Sequence, residues 1–307
     1  MKNLILGAMA LSLFILLGCE AKPGKPTGND GDTTKVDTVP APQAVVPEYN
    51  SPESVTSDGE YIYVANVGVK LEPMEKDGDG RIMKLNMAAD NWIDKDKWAA
   101  IQLNAPKGMA IVRKNLYVAD IDRVVVIDLA KTEQTYVYDF SKFNTTFLND
   151  MAVMNDSTLL VSSTDANAIF KINLKDQNIE KMKTGELNGS NGMVYASEEN
   201  KIYCVEYGSE KKPKGRVLAI DGKSGAVKQI GTHTGGLDGV ALTADGSLMF
   251  SDWGTAHLEK LNMQTGAVTE VASDSIQGPA DFYYDQASKK TYLPRMMENK
   301  LSILEGN

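Results

Sequence analysis

The sequence predicts an all-β fold, a six-bladed β-propeller of four-stranded blades. Three observations predict it. A motif made of a turn and a short strand recurs six times; each copy is followed by further short strands; and strong helical periodicity is absent over the same region. The copies are Pro52-Glu53-Ser54-Val55, Pro106-Lys107-Gly108-Met109, Leu148-Asn149-Asp150-Met151, Ser190-Asn191-Gly192-Met193, Leu237-Asp238-Gly239-Val240 and Pro279-Ala280-Asp281-Phe282. Their second residues are 54, 42, 42, 47 and 42 positions apart, a period typical of stacked or radial repeats.

Each repeat reads as a meander. The motif opens the inner strand. A second strand follows, as in Tyr61–Asn66, Asn115–Asp120, Thr158–Ser163, Lys201–Glu206, Ser247–Asp252 and Lys290–Arg295. Third strands are expected at Arg81–Met87, Arg123–Leu129, Ala168–Leu174, Arg216–Gly222, His257–Met263 and Lys300–Glu305. A more polar fourth strand closes the unit, for example Ala99–Leu103, Tyr136–Phe140 and Val268–Ala272. Pairs such as Asp58-Gly59 and Asp245-Gly246 punctuate the strands as turns. The last repeat has no fourth strand of its own. Gln43–Pro47, just before the first motif, is expected to supply it and lock the ring. The rival architecture is a linear solenoid, which needs polar capping repeats at its ends; these repeats are apolar from first to last.

The N-terminus reads as a processing signal. Lys2 precedes an apolar stretch, Leu4 to Leu17, too short to span a bilayer. Leu16-Leu17-Gly18-Cys19 matches lipoprotein processing, so residues 1–18 are expected to be removed and Cys19 to carry lipid. The alternative is an ordinary signal peptide with a coincidental Cys. Glu20 after Cys19 favours the outer membrane or cell surface over the inner membrane. Residues 19–43 are rich in Pro, Gly, Asp, Thr and Lys and read as a disordered tether. Asp30-Gly31-Asp32 could instead act as a sorting signal. The propeller then occupies 44–307.

Two cysteines and two histidines limit the chemistry. With Cys19 lipidated, Cys204 has no partner and reads as a small buried hydrophobe. The net charge of −9 becomes −10 once Lys2 is removed, and this acidity argues against nucleic acid as a partner. The partners expected are a small-molecule substrate or ligand and the membrane through the anchor, with a protein partner as an open alternative.

If the ring closes, the second motif residues Glu53, Lys107, Asn149, Asn191, Asp238 and Ala280 form an inner circle at one mouth. The ends of the second strands, Asn66, Asp120, Ser163, Glu206, Asp252 and Arg295, form a circle around it. Lys107, Asp120, Glu206, Asp252 and Arg295 are therefore candidate substrate contacts. The longest loop, Val67 to Gly80, would overhang the mouth as a partial lid. Its Asp77-Gly78-Asp79-Gly80 reads as an acidic turn, lacking the rest of a calcium loop. Glu53, Asn149, Asn191 and Asp238 offer carboxylate and amide oxygens, the donors Ca²⁺ takes. The inner circle holds no Cys or His, which disfavours zinc, copper and iron there. The plainer alternative is that these residues only hydrate a channel. His233 is expected at the surface, and His257 near the mouth.

This ordered set resembles the calcium-dependent six-bladed propeller superfamily of gluconolactonase, regucalcin, diisopropyl fluorophosphatase and paraoxonase. The resemblance covers residues 44–307 and rests on Glu53, Asn149-Asp150, Asn191-Gly192 and Asp238-Gly239. It implies that Glu53, Asn191 and Asp238 hold a catalytic Ca²⁺, that Asn149 is a fourth polar contact, and that Asp238 is the base or nucleophile. Phe147 stands where gluconolactonases carry an Arg that grips the sugar acid. The paraoxonase His pair has no counterpart. The expected activity is a lipid-anchored, Ca²⁺-dependent hydrolase of a lactone or related ester. The alternative is a non-catalytic propeller that binds a ligand or protein, with calcium purely structural.

Overall fold

The computed structural model describes residues 48–212, 214–271 and 274–306. Six antiparallel sheets follow one another in chain order. Blade 2 comprises Pro106–Val112, Asn115–Asp120, Arg123–Asp128 and Glu133–Asp139. Blade 3 comprises Leu148–Asn155, Thr158–Ser163, Ala168–Asn173 and Ile179–Lys181. Blade 4 comprises Ser190–Ala196, Lys201–Glu206, Gly215–Asp221 and Val227–Gly235, and blade 5 comprises Leu237–Leu242, Leu248–Asp252, His257–Leu261 and Val268–Glu270. Among the described residues blades 1 and 6 show three strands each: Pro52–Ser57, Tyr61–Asn66 and Arg81–Asn86, and Tyr283–Tyr284, Thr291–Arg295 and Lys300–Leu304. The signal segment, Cys19, the tether and the proposed closing strand Gln43–Pro47 lie outside the described residues.

The cores lie between blades. One cluster packs Phe140 of blade 2 on Phe170 of blade 3; another packs Met193 and Cys204 of blade 4 on Leu160 and Ile169 of blade 3. The same arrangement joins blades 4 and 5 through Val205 and Phe250, and blades 5 and 6 through Leu258 and Leu293. Tyr292 of blade 6 packs with Val55 and Met83 of blade 1, so the ring closes. The Tyr292 hydroxyl donates to the Met87 carbonyl at 3.0 Å, and the Asp281 amide donates to the Glu53 carbonyl at 2.9 Å. A solenoid has no such first-to-last contact.

Each inner strand is bulged where its motif sits. Pairing begins with Pro52 opposite Asn66, Pro106 opposite Asp120, Leu148 opposite Ser163, Ser190 opposite Glu206 and Leu237 opposite Asp252. The register then slips before pairing resumes. Blade 6 keeps the opening pair as an isolated bridge, Pro279 to Arg295. A bulge frees residues from the ladder and re-aims their side chains. The second motif residue thus turns into the channel, while the third faces the next blade. Gly192 shows why that third position is tight, since a Cβ there would lie 2.3 Å from the Asp238 carbonyl oxygen.

The expected outer strand of blade 1 is different. Lys95–Ala99 is a short helix whose Trp98 is buried against Tyr63, with ring centroids 5.6 Å apart, and Leu103 makes only an isolated bridge to Gly80. One helical turn is too short to show a period in the sequence. Cys204 is fully buried, as expected of a small hydrophobe, and burial pushes its thiol pKa up.

Candidate functional site at the propeller mouth

Glu53, Lys107, Asn149, Asn191 and Asp238 line one cavity of about 210 Å³ at a mouth of the ring. The bulges bring them there from five blades. Ala280 is fully buried nearby, against Val67, Ile121 and Met296. The lid expectation holds, because Leu71 and Pro73 of the 67–80 loop form part of the cavity wall. Asp79 accepts the Val69 amide at 2.9 Å, so the acidic turn braces the loop.

The polar atoms facing this cavity have an unusual property. Among the described residues, Glu53 Oε2, Asn149 Oδ1, Asn191 Oδ1 and Asp238 Oδ1 are all buried without a hydrogen-bond partner. Buried polar atoms are normally satisfied, since leaving one unpaired costs about 1–3 kcal/mol. Four such oxygens in one cavity demand a common explanation. Outer partners fix two of them: Trp253 Nε1–H donates to Asp238 Oδ2 at 2.8 Å, and Asn149 Nδ2 donates to Thr164 Oγ1 at 3.2 Å. The first leaves Asp238 Oδ1 unpaired, and the second leaves the Asn149 amide oxygen unpaired.

The electrostatics point the same way. Burial, then Asp238 and Asp281, push the Glu53 carboxyl well above its usual range. Burial lifts Asp238 to about 6 and Asp150 to about 7, and it raises Asp281 strongly. Lys107 is nearly fully buried, and desolvation lowers it to about 8. Its ammonium donates to the Pro73 and Ala105 carbonyls at 2.7 and 3.1 Å and lies 4.7 Å from the Phe147 ring centre. Two carboxyls, Glu53 and Asp238, thus share the cavity with one ammonium, while Asp150 and Asp281 line a different cavity. A hard divalent cation fits this donor set, because it would satisfy the orphaned oxygens and offset the excess charge.

Asp150 and Asp238 bind protons more tightly in the folded chain than at their ordinary value of 3.8. Folding therefore takes up protons, and stability falls as pH rises through their folded pKa values. Lys107, charged below about 8, adds no slope there. Chelator-stripped protein should melt at progressively higher temperature from pH 7 to pH 5. A steady drop over that range would contradict the buried charge excess.

The outer circle needs correction. Asp120, Glu206, Asp252 and Arg295, expected as substrate contacts, do not line the cavity. Asp120 holds Arg123 at 2.7 Å and accepts the Ala105 amide at 2.8 Å. Glu206 holds Arg216 at 2.7 Å and accepts the Asn188 amide at 2.6 Å. Asp252 accepts the Gly254 amide at 2.7 Å and meets His233, while Arg295 pairs with Glu298. These side chains clamp the loop that leads into each inner strand. The residues one step further on face the mouth instead: Thr164, Tyr207, Trp253 and Met296 all line the cavity. Successive side chains of a strand point to opposite faces, so a one-residue offset exchanges clamp for wall. Of the expected contacts, Lys107 alone is in the wall.

Neither histidine touches the cavity. His233, expected at the surface, is half-buried, with Nε2 3.0 Å from Asp252 Oδ2 and 3.3 Å from Glu259 Oε2. His257 pairs loosely with Glu270 at 3.8 Å.

Solved structures share the fold. Virginiamycin B lyase from Staphylococcus aureus, in a catalytically inactive form with quinupristin, aligns at TM-score 0.52 and 15% identity, over 80% of this chain and 92% of that one. A streptogramin B lyase aligns at 0.57 and 11% identity, over 86% and 96%. Hydrazine synthase from Kuenenia stuttgartiensis aligns at 0.58 and 14% identity, over 87% and 80%. Comparison with curated proteins gives no match. The family model described as SMP-30/Gluconolactonase/LRE-like region matches residues 74–280, a span that includes Asn149, Asn191 and Asp238 and begins after Glu53. That match covers two thirds of the chain, and the protein belongs to the SMP-30/gluconolactonase/LRE-like family.

Proposed function

We propose that the protein is a calcium-dependent hydrolase of a lactone or related ester with an apolar body. The observation that carries this reading is the set of four buried, unpartnered oxygens on Glu53, Asn149, Asn191 and Asp238, all facing one cavity. These residues would hold the cation. When bound, Ca²⁺ supplies Lewis-acid polarisation of a carbonyl oxygen.

The chain's own residues supply the rest. Asp238, whose carboxylate lines the cavity, is the proposed base toward water. Trp253 fixes its orientation through Oδ2. Lys107 stands at the wall, where an acidic product would meet a positive charge. Leu71, Phe147, Tyr207, Trp253 and Met296 make the remaining wall largely apolar. Phe147 in particular leaves no guanidinium for a sugar acid. The substrate class proposed is therefore an apolar lactone or ester, not a sugar lactone.

The test is turnover of a panel of alkyl and aryl lactones and esters beside sugar lactones, with calcium and with chelator. Calcium-dependent hydrolysis of the apolar members is expected. Faster turnover of sugar lactones would overturn the specificity, and no calcium-dependent turnover at all would favour a second reading, a propeller that only binds. That second reading draws on the lid, where Val69 and Met74 are 72% and 56% exposed. A lipid anchor at Cys19, at the outer membrane or cell surface, is proposed from residues 1–20 alone.

A further inference from the structure

We propose that His233, Asp252 and Glu259 form a second cation site, of zinc-type chemistry, which staples the outer strand of blade 4 to blade 5. His233 lies on Val227–Gly235, the outer strand of blade 4. Asp252 and Glu259 lie on the neighbouring blade 5 strands Leu248–Asp252 and His257–Leu261. Their ligand atoms all fall within 4.8 Å of one another. Nε2 is 3.0 Å from Asp252 Oδ2 and 3.3 Å from Glu259 Oε2. Tetrahedral zinc with bonds of about 2.0–2.2 Å to nitrogen and oxygen separates its ligand atoms by roughly 3.3 Å.

Two independent features go beyond mere proximity. Glu259 is only 5% exposed, and its Oε2 has no hydrogen-bond partner although it faces the imidazole. The other oxygen of each carboxylate is held from outside. Thr255 Oγ1–H donates to Glu259 Oε1 at 2.9 Å, and the Gly254 and Gly236 amides donate to Asp252 Oδ1 at 2.7 and 3.2 Å. Such outer-shell bonds orient metal ligands and leave their partner atoms directed inward. The His233 side chain is 18% exposed, which leaves an open side for water as a fourth ligand. Two carboxylates with a neutral imidazole balance a divalent cation, and Lys214 is the nearby positive charge that opposes it. An imidazole donor selects a first-row transition metal over calcium, which keeps this site chemically distinct from the mouth.

Chelator-stripped protein, with excess Ca²⁺ present to fill the mouth, should be titrated with Co²⁺ as a coloured substitute for Zn²⁺. A visible absorption band saturating at one Co²⁺ per chain is expected, displaced by Zn²⁺. Glu259→Gln, which keeps the side chain's size, should weaken binding at least about 100-fold, the upper end of the loss for an outer-shell partner. His233→Ala should abolish the band, and Asp238→Ala should leave it unchanged. No saturable band, wild-type affinity in Glu259→Gln, or loss of the band in Asp238→Ala alone would overturn the proposal.

Discussion

Gly192→Ala is expected to lower the melting temperature by about 6–12 °C and to weaken calcium binding with it. The new methyl would sit 2.3 Å from the Asp238 carbonyl oxygen and 2.9 Å from the Gly239 Cα. Both are backbone atoms of the next blade, so no flexible side chain can move aside. Overpacking a tight site costs about 1–3 kcal/mol, and this contact belongs at the upper end. For a domain near this size each kcal/mol lowers melting by about 2–4 °C. The displaced strand also carries Asp238, which links the stability loss to the mouth. Gly236→Ala is the control, because its methyl would meet only side-chain atoms at 3.6 Å and beyond. Melting of Gly192→Ala within about 2 °C of wild type would show that the inner strands are not packed as described.

Glu53→Gln is expected to abolish hydrolysis, with kcat/KM reduced at least about 10³-fold, or about 4 kcal/mol of transition-state stabilisation. Gln keeps the volume but removes one charge from the proposed cation site. The same change should stabilise the metal-free protein, since burial and the neighbouring Asp238 and Asp281 disfavour an ionised Glu53. The expected signature is therefore double: a higher melting temperature in chelator, and little response to calcium. Hydrolysis within about tenfold of wild type would remove Glu53 from the mechanism.

The ring is legible in the sequence because its repeat is spelled by turns and apolar strands that recur every 42 to 54 residues. The inner circle is legible for the same reason: one register position carries Glu53, Asn149, Asn191 and Asp238. The bulge that turns those residues inward leaves only an indirect trace, the glycine at Gly108, Gly192 and Gly239. The outer wall is not legible. Acidic residues at Asp120, Glu206 and Asp252 draw attention to a position that clamps loops, while Thr164, Tyr207 and Trp253 beside that position carry the wall. Strand alternation fixes that two neighbours face opposite ways, but not which one faces the mouth. Asp150 and Asp281 escape notice as a buried acidic layer because the third motif position holds Gly or Ser in the other copies. The Trp98 helix escapes because a single turn has no period.

The most direct test of the mouth as a calcium site is the melting temperature of chelator-stripped protein titrated with Ca²⁺, beside Asp238→Ala. A ligand that binds only the folded state raises stability as its concentration passes its dissociation constant. A saturable rise in the wild type that is absent in Asp238→Ala is the result expected from four buried oxygens without partners. A flat response in the wild type, or an equal rise in both proteins, would contradict it.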